Sequence, residues 1–132
     1  MKVSIIIPTL NEGLVLEKAL TQIQQLSPHE VIVSDGGSTD NTCHIAQKFS
    51  HSIVIGSASR ARQMNAAADK ATGDLLLFLH ADNRLEPESY RKMLEFMDNS
   101  KWIGGAFSLC IESDKWSINL INLLANFRSK YF

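Results

Sequence analysis

Short apolar runs typical of buried strands alternate with amphipathic helical segments along this chain, and this alternation restricts the fold more than any other feature. Val3–Ile7 is a β-branched run that ends at Pro8, a residue that cannot donate to a strand ladder. Similar runs predict further strands at Val31–Ser34, Ile53–Ile55, Leu75–Leu79 and Trp102–Ile111. The most apolar run, Leu75–Leu79, is expected in the centre of the sheet. The alternation predicts an α/β fold with a mostly parallel, Rossmann-like sheet flanked by helices.

Helices are predicted between the strands from apolar residues spaced three and four positions apart. The first is expected over Glu12–Leu26, with Asn11 as its N-cap. Another begins near Ser59, and Gly73 is expected to close it as a C-cap. The remaining predicted helices are Asn41–Phe49, a helix that begins around Glu86-Pro87-Glu88, and the amphipathic segment Trp116–Phe127.

Composition narrows the class of protein. The chain has 132 residues, of which 45% are hydrophobic and 20% charged, values typical of one folded globular domain. A net charge of −1 argues against a nucleic-acid binder with a broad basic surface. Two cysteines, Cys43 and Cys110, cannot form a disulfide framework and do not have zinc-site spacing. Without a signal-peptide pattern or an 18-residue apolar stretch, we expect a cytoplasmic protein.

Compact polar groups follow the first four predicted strands. They are Pro8–Glu12, Asp35–Ser38, Ser57–Arg62 and His80–Arg84. Parallel strands end at one edge of a sheet, and ligands of open α/β sheets bind outside that edge, so a shared binding site is expected there. Helix capping is the alternative explanation, because caps also recruit Ser, Thr, Asn and Asp.

The residue types in these loops suit an anionic nucleotide bound with a metal. Arg60 and Arg62 carry forked donors for phosphate oxygens, although a solvated helix face would also explain them. Asp82 is an oxygen ligand of the kind that Mg²⁺ and Mn²⁺ use, with a turn or N-cap role as its alternative. Asp35 could instead cap the second helix or form an Asx turn. His80 is expected to be packed or hydrogen-bonded rather than catalytic.

Four segments, in order, resemble family 2 glycosyltransferases with the GT-A fold. Ser4–Glu12 (SIIIPTLNE) is similar to their opening strand and loop, and Val33–Thr42 (VSDGGSTDNT) resembles their V-D-D-G-S-T-D-x-T turn. Arg60–Asn65 (RARQMN) resembles the arginine and asparagine segment that precedes their metal motif. Ala71–Asp82 (ATGDLLLFLHAD) resembles the strand that ends in that motif. The order and spacing of four motifs over residues 3–82 make the resemblance specific.

The resemblance implies a nucleotide-sugar donor, most often a UDP-sugar, bound with Mg²⁺ or Mn²⁺. The expected nucleotide-sugar-binding residues are Pro8, Thr9, Glu12, Asp35, Arg60, Arg62, Ala81 and Asp82. Among them, Asp35 would hydrogen-bond the base, Arg62 would approach the base or the diphosphate, and Asp82 would hold the metal. Two positions depart from the family pattern. Gly36 replaces a second Asp that could contact the ribose, and His80 replaces the first Asp of the D-x-D motif. Metal binding is therefore expected to depend on Asp82 and on the donor itself.

Residues 1–111 are expected to form the nucleotide-sugar-binding domain, and residues 112–132 an amphipathic helix that starts an acceptor region. In the family the catalytic base comes from an acidic motif further downstream. Glu112 and Asp114 do not sit in such a motif, so no catalytic residue is assigned. We therefore expect the donor-binding half of a transferase, with a non-catalytic nucleotide-sugar-binding module as the alternative. A nucleotidyltransferase is disfavoured, because Pro8–Glu12 is not a glycine-rich phosphate loop with a lysine.

The expected partners are the nucleotide-sugar donor and an unidentified sugar or lipid-linked acceptor, and nucleic acid is not expected. Trp116–Phe127 is expected to pack on the sheet or on a second copy of the chain, which would give a homodimer. The alternative is an interfacial helix that contacts the inner face of the membrane peripherally.

Overall fold

The computed structural model describes residues 1–98, 103–108 and 126. The chain divides into two compact units, Met1–Asn99 and Ser100–Phe132, and the sheet lies in the first. The strands are β1 (Val3–Thr9), β2 (Glu30–Asp35), β3 (Ser52–Ile55) and β4 (Leu75–Phe78). The helices are α1 (Gly13–Gln25), α2 (Thr42–Phe49), α3 (Arg60–Ala68) and α4 (Pro87–Asp98). None of the helices in the described ranges combines the length and the apolar character needed to cross a bilayer.

The four described strands form one parallel sheet in the order β3-β2-β1-β4. The α/β fold class and the parallel sheet predicted from the sequence are confirmed. β1 lies inside the sheet, between β2 and β4, and all of its residues are buried. Its β-branched side chains suit a strand that is covered on both faces.

Helices cover the two faces of the sheet unequally. On one face, a core joins three helices to β1. Its members include Leu16 and Leu20 of α1, Ile45 of α2, Tyr90 of α4, and Val3, Ile5 and Ile7 of β1. On the other face, Ala67 of α3 packs with a smaller apolar set from β1 and β2. The sheet therefore has one thick apolar layer, and α3 lies alone among the described helices on the opposite face.

β4 lies at the edge of the four described strands, so its predicted central position stays a prediction. Leu76 and Phe78 are 39% and 41% exposed, since α3 packs against β1, β2 and β3. The predicted fifth strand, Trp102–Ile111, is wrong for residues 103–108, which form no strand. Its other positions lie outside the described residues. Two of its residues, Gly104 and Gly105, have no side chains to pack in a ladder.

Two details of the predicted helices also differ. The third helix ends at Ala68, and Gly73 does not cap it. A Cβ at Gly73 would lie 2.5 Å from Ser4 Oγ and 2.8 Å from the Ser4 nitrogen, so glycine serves close packing against β1. The predicted helix Trp116–Phe127 lies outside the described residues, apart from Asn126, which is helical.

A polar cluster joins the strands at the edge where they begin. Glu30 Oε1 accepts hydrogen bonds from Ser4 Oγ at 2.6 Å and from the nitrogen and hydroxyl of Thr72 at 2.6 and 2.9 Å. Ser4 Oγ also accepts from the Gly73 nitrogen at 2.9 Å. Burial opposes ionisation of Glu30, but these hydrogen bonds outweigh it and lower its pKa. The loops at this edge therefore hold β1, β2 and the start of β4 together.

Candidate donor site

The loops that follow the four described strands all leave the sheet at its carboxyl edge. Thr9 and Asp35, the last residues of β1 and β2, are register partners, and Asp35 is paired in turn with Ile55 at the end of β3. The loop after β3 leads into α3, whose first residue is Arg60, and the loop after β4 carries Asp82. The predicted meeting of the four polar loops at one edge is confirmed.

Asp35 organises the turn that follows β2. Its Oδ2 accepts hydrogen bonds from the backbone nitrogens of Gly37 at 2.9 Å and Ser38 at 2.7 Å. Its Oδ1 accepts from the Ser38 hydroxyl and from Thr9 Oγ1, the latter at 3.3 Å. Burial, with Asp35 1% exposed, opposes ionisation, but the hydrogen bonds from Ser38 and Gly37 outweigh it and lower the pKa of Asp35. Of the open alternatives, the structure has the Asx turn and not the cap of α2.

Asn11 connects the first two loops and is not the N-cap of α1. It has a φ of 53°, in the left-handed region that Asn tolerates better than most residues. Its nitrogen donates to Ser38 Oγ at 2.8 Å, and its Oδ1 accepts from the Thr39 nitrogen at 2.8 Å. The N-cap position of α1 belongs to Glu12, whose side chain makes no cap hydrogen bond. Asn11 was misplaced because its side chain satisfies a neighbouring loop and not its own helix.

Asp40 replaces the missing side-chain cap of α1. Its Oδ2 accepts from the Gly13 nitrogen at 3.1 Å, and its Oδ1 accepts from the Thr42 nitrogen at 2.9 Å and from the Thr42 hydroxyl. The Thr42 hydroxyl in turn accepts from the Glu12 nitrogen at 2.9 Å. One carboxylate thus binds backbone donors at the starts of both α1 and α2, where a negative charge is favourable. Hydrogen bonds from Thr42 lower the pKa of Asp40 accordingly.

Charged side chains from the segments after β3 and β4 lie close enough to Glu12 to affect its pKa. Burial is the main reason that the pKa of Glu12 is raised, and the nearby Asp82 carboxylate raises it further, while His80 and Arg60 act in the opposite direction. Its Oε2 is buried and has no hydrogen-bond partner. Burial of a carboxylate oxygen without a hydrogen-bond partner costs free energy, so Glu12 Oε2 is suited to bind a cation or a hydrogen-bond donor. Within the described ranges, no three His, Cys, Asp or Glu side chains are grouped as a metal site.

The expected site residues fall into three sets. Arg60 and Asp82 lie close enough to Glu12 to affect the pKa of its carboxyl group. Arg62 lies on a cleft of about 220 Å³ between α3 and the ends of β2 and β3. The third set is buried below the loops and consists of Pro8, Thr9, Asp35 and Ala81. Whether each of these residues contacts a donor stays a prediction.

Sequence reasoning missed several residues that build this edge. Ser38, Asp40 and Thr42 hold the first two loops together, and Gln63 binds the carbonyls of Thr9 and Ser34. One signal was available for the first three. The turn segment from Asp35 to Thr42 contains more short polar side chains than one helix cap needs, which indicates contacts with another loop. Gln63 gave no such signal, because a polar residue in a helix is normally solvent-exposed.

Known proteins of similar sequence include glycosyltransferases. The chain is 35% identical over 133 residues to a PGL/p-HBAD biosynthesis glycosyltransferase of Mycobacterium bovis, a match that covers 80% of this chain and 52% of that protein. It is 32% identical over 108 residues to a dolichol-phosphate mannosyltransferase of Pyrococcus furiosus, covering 75% of this chain and 31% of that protein. The chain thus spans about half, or less, of the length of these relatives.

Solved structures show the same fold. Glucosyl-3-phosphoglycerate synthase from Mycobacterium tuberculosis, in complex with UDP, superposes with a TM-score of 0.65 at 21% identity, covering 76% of this chain and 41% of that chain. A complex of the same synthase with Mn²⁺ and UDP-glucose gives a TM-score of 0.55 at 25% identity, over 61% of this chain and 33% of that chain. The fold is therefore that of GT-A glycosyltransferases. The sequence model of glycosyl transferase family 2 matches residues 4–129, and the chain belongs to that family.

Proposed function

We propose that this chain is the donor-binding part of a glycosyltransferase, which binds a nucleoside diphosphate sugar with a divalent cation and delivers the sugar to an acceptor. The observation that carries the proposal is that the loops holding Glu12, Arg60 and Asp82 leave the parallel sheet at one edge, where Arg60 and Asp82 affect the pKa of Glu12. The family supports the class of donor. The similar synthase that was solved with Mn²⁺ and UDP-glucose supports a uridine nucleotide and a metal.

The charges at this edge fit a cation held together with a diphosphate. Glu12 and Asp82 would repel a diphosphate unless positive charge lay between them and the phosphates. The unpartnered Glu12 Oε2 and the exposed carboxylate of Asp82 are oxygen ligands of the kind that Mg²⁺ and Mn²⁺ take. Because only two carboxylates are present here, the cation should bind mainly together with the donor's phosphates. Such a cation would supply positive charge that stabilises a leaving diphosphate.

The remaining roles follow from exposure and position. Arg60 and Arg62 are exposed at the start of α3, and their guanidinium groups are suited to bind phosphate oxygens. Thr9 is 2% exposed, so we assign it to the floor of the nucleoside pocket, together with the buried Pro8. A base that reaches Asp35 would take the place of the Thr9 hydroxyl, whose hydrogen bond to that carboxylate is 3.3 Å long.

Calorimetric titration of UDP, with and without Mn²⁺, tests the proposal. We expect the wild-type chain to bind UDP more tightly with Mn²⁺. Asp82→Ala should weaken Mn²⁺-dependent UDP binding by about tenfold or more, because the carboxylate ligand is lost. Asp69→Ala, which removes an exposed carboxylate at the far end of α3, serves as the control and should change nothing. Equal UDP affinity of wild type and Asp82→Ala would contradict the metal assignment.

Turnover is tested separately from binding. Release of UDP from UDP-sugars in the presence of Mn²⁺ would support transfer by this chain. Measurable binding without release would instead favour the non-catalytic nucleotide-sugar-binding module.

The proposal extends to location and assembly. We propose action in the cytoplasm on a sugar or lipid-linked acceptor, with residues 112–132 contacting a second copy or the inner face of the membrane. Light scattering that shows a monomer at high protein concentration would contradict the dimer. Failure to co-sediment with lipid vesicles would contradict the membrane contact.

A further inference from the structure

Gln63 is a buried carboxamide that joins three elements of the candidate donor site. The residue is 6% exposed, and its Nε2 donates to the carbonyl oxygens of Thr9 and Ser34, both at 2.8 Å. Thr9 is the last residue of β1, and Ser34 is the next-to-last residue of β2. The two N–H groups of one amide therefore hold two strand ends at a set distance from each other and from α3.

The turn after β2 leaves room for this amide because position 36 is glycine. A Cβ built on Gly36 would lie 3.2 Å from Gln63 Nε2 and 3.3 Å from Gln63 Cδ. It would also lie 3.1 Å from the Cα of Ala58, in the loop that follows β3. Any side chain at position 36 would crowd the Gln63 amide and the loop after β3, so the position of Gln63 depends on glycine at position 36.

The Gln63 amide is linked both to the Asp35 turn, through Thr9, and to Arg62, through α3. The Thr9 carbonyl that it binds also accepts from the Gly36 nitrogen at 2.9 Å, and the Thr9 hydroxyl donates to Asp35. Its neighbour in α3, Arg62, lines the same cleft of about 220 Å³ as Gln63. Because Arg62 and Gln63 are consecutive in one helix, the hydrogen bonds of Gln63 restrict where the Arg62 guanidinium can reach.

We propose that Gln63 is a positioning residue of the donor site: it holds the ends of β1 and β2 against α3 in the arrangement that binds the nucleotide and directs Arg62 to it. The inference rests on the proposed function, but it concerns a residue that need not touch the donor. Gln63 acts through Thr9 on the Asp35 turn and through the helix on Arg62. It differs in this respect from Glu12, Arg60 and Asp82, which are proposed to contact the donor or its cation.

The test compares Gln63→Met with a control that loses the same number of hydrogen bonds elsewhere. Methionine keeps the length of the side chain and removes both donors. Ser4→Ala is the control, because the Ser4 hydroxyl is buried and makes two hydrogen bonds at the opposite edge of the sheet. UDP affinity with Mn²⁺ is measured by calorimetry, and stability by urea unfolding.

Both variants should lose comparable stability, but only Gln63→Met should weaken UDP binding, by about ten- to a hundredfold for two lost hydrogen bonds. Ser4→Ala should stay within about twofold of wild type, since it leaves the carboxyl edge untouched. A Gln63→Met protein that binds UDP as well as Ser4→Ala would overturn the inference. Gln63→Asn, which keeps the amide with a shorter reach, should give an intermediate loss and replaces Gln63→Met if that variant does not fold.

A double-mutant cycle separates positioning from general destabilisation. If Gln63 directs Arg62, the loss of UDP affinity in Gln63→Met with Arg62→Ala should be smaller than the sum of the two single losses. Additive losses would overturn the coupling. Failure of the wild-type chain to bind UDP would overturn the proposed function and this inference together. Normal wild-type binding with an unaffected Gln63→Met would overturn only the role of Gln63.

Discussion

Replacement of Asp35 tests the hydrogen-bonded turn at the centre of the donor site. Asp35→Ala leaves the backbone nitrogens of Gly37 and Ser38 and the buried Thr9 hydroxyl without their acceptor. Water can reach part of the turn, since Gly37 is exposed, so the cost per group should lie toward the low end of the usual range. We expect the free energy of unfolding to fall by about 2–4 kcal/mol. Asp35→Asn keeps the shape and loses the charge, and should cost about 1–2 kcal/mol.

The pH dependence of the stability lost in Asp35→Asn gives the sharper test. The pKa of Asp35 is lower in the folded protein than in the unfolded chain, so its contribution is complete above the unfolded value, about 3.9. That contribution is lost as the pH falls through the folded value. The stability gap between wild type and Asp35→Asn should therefore be largest near neutral pH and shrink below about pH 4.

Urea unfolding followed by far-ultraviolet circular dichroism, from pH 7 down to pH 3, measures this gap. Asp69→Asn, at an exposed position, is the control and should show no comparable gap. A gap between wild type and Asp35→Asn that stays constant over this range would refute the assignment of ionised Asp35 to the turn. So would an Asp35→Ala protein as stable as wild type.

Two further substitutions test close approaches and loop geometry. Gly73→Ala should lower the free energy of unfolding by about 1–3 kcal/mol, because its Cβ would lie 2.8 Å from the Ser4 nitrogen. Gly56→Ala is the control and should not change the thermal unfolding, because a Cβ there has nothing within 4 Å. Asn11→Gly should lose the hydrogen bonds that the Thr39 nitrogen and hydroxyl donate to the Asn11 side chain. Asn11→Ala should lower the free energy of unfolding by about 1 kcal/mol more, because alanine also resists the positive φ. Equal stability of the two Asn11 variants in urea would contradict the second expectation.

Much of the fold followed from local pattern. The periods of the apolar residues predicted the four described strands and the helices between them to within a few residues, since a buried strand and an amphipathic helix each need a characteristic spacing. The parallel arrangement followed from the alternation, and it brought the loops after the strands to one edge. The order and spacing of four motifs over residues 3–82 pointed to the family without any coordinates.

Long-range contacts could not be predicted in the same way. Asn11 was expected to cap its own helix but binds the Thr39 nitrogen, and Gly73 was expected to end a helix but lies against Ser4. In both cases the partner is distant in sequence, so no local spacing indicates it.

The sequence by itself determined the fold class, the family and the set of loops that form the candidate site, because strand and helix periods and motif order are properties of the chain alone. Only the tertiary structure decided which side chains meet within those loops. It brought Asp82 within electrostatic range of Glu12, buried the Asp35 carboxylate, and joined Gln63 to the ends of β1 and β2. Those contacts depend on how parallel strands and one helix pack in space, and so they are absent from any linear pattern of residues.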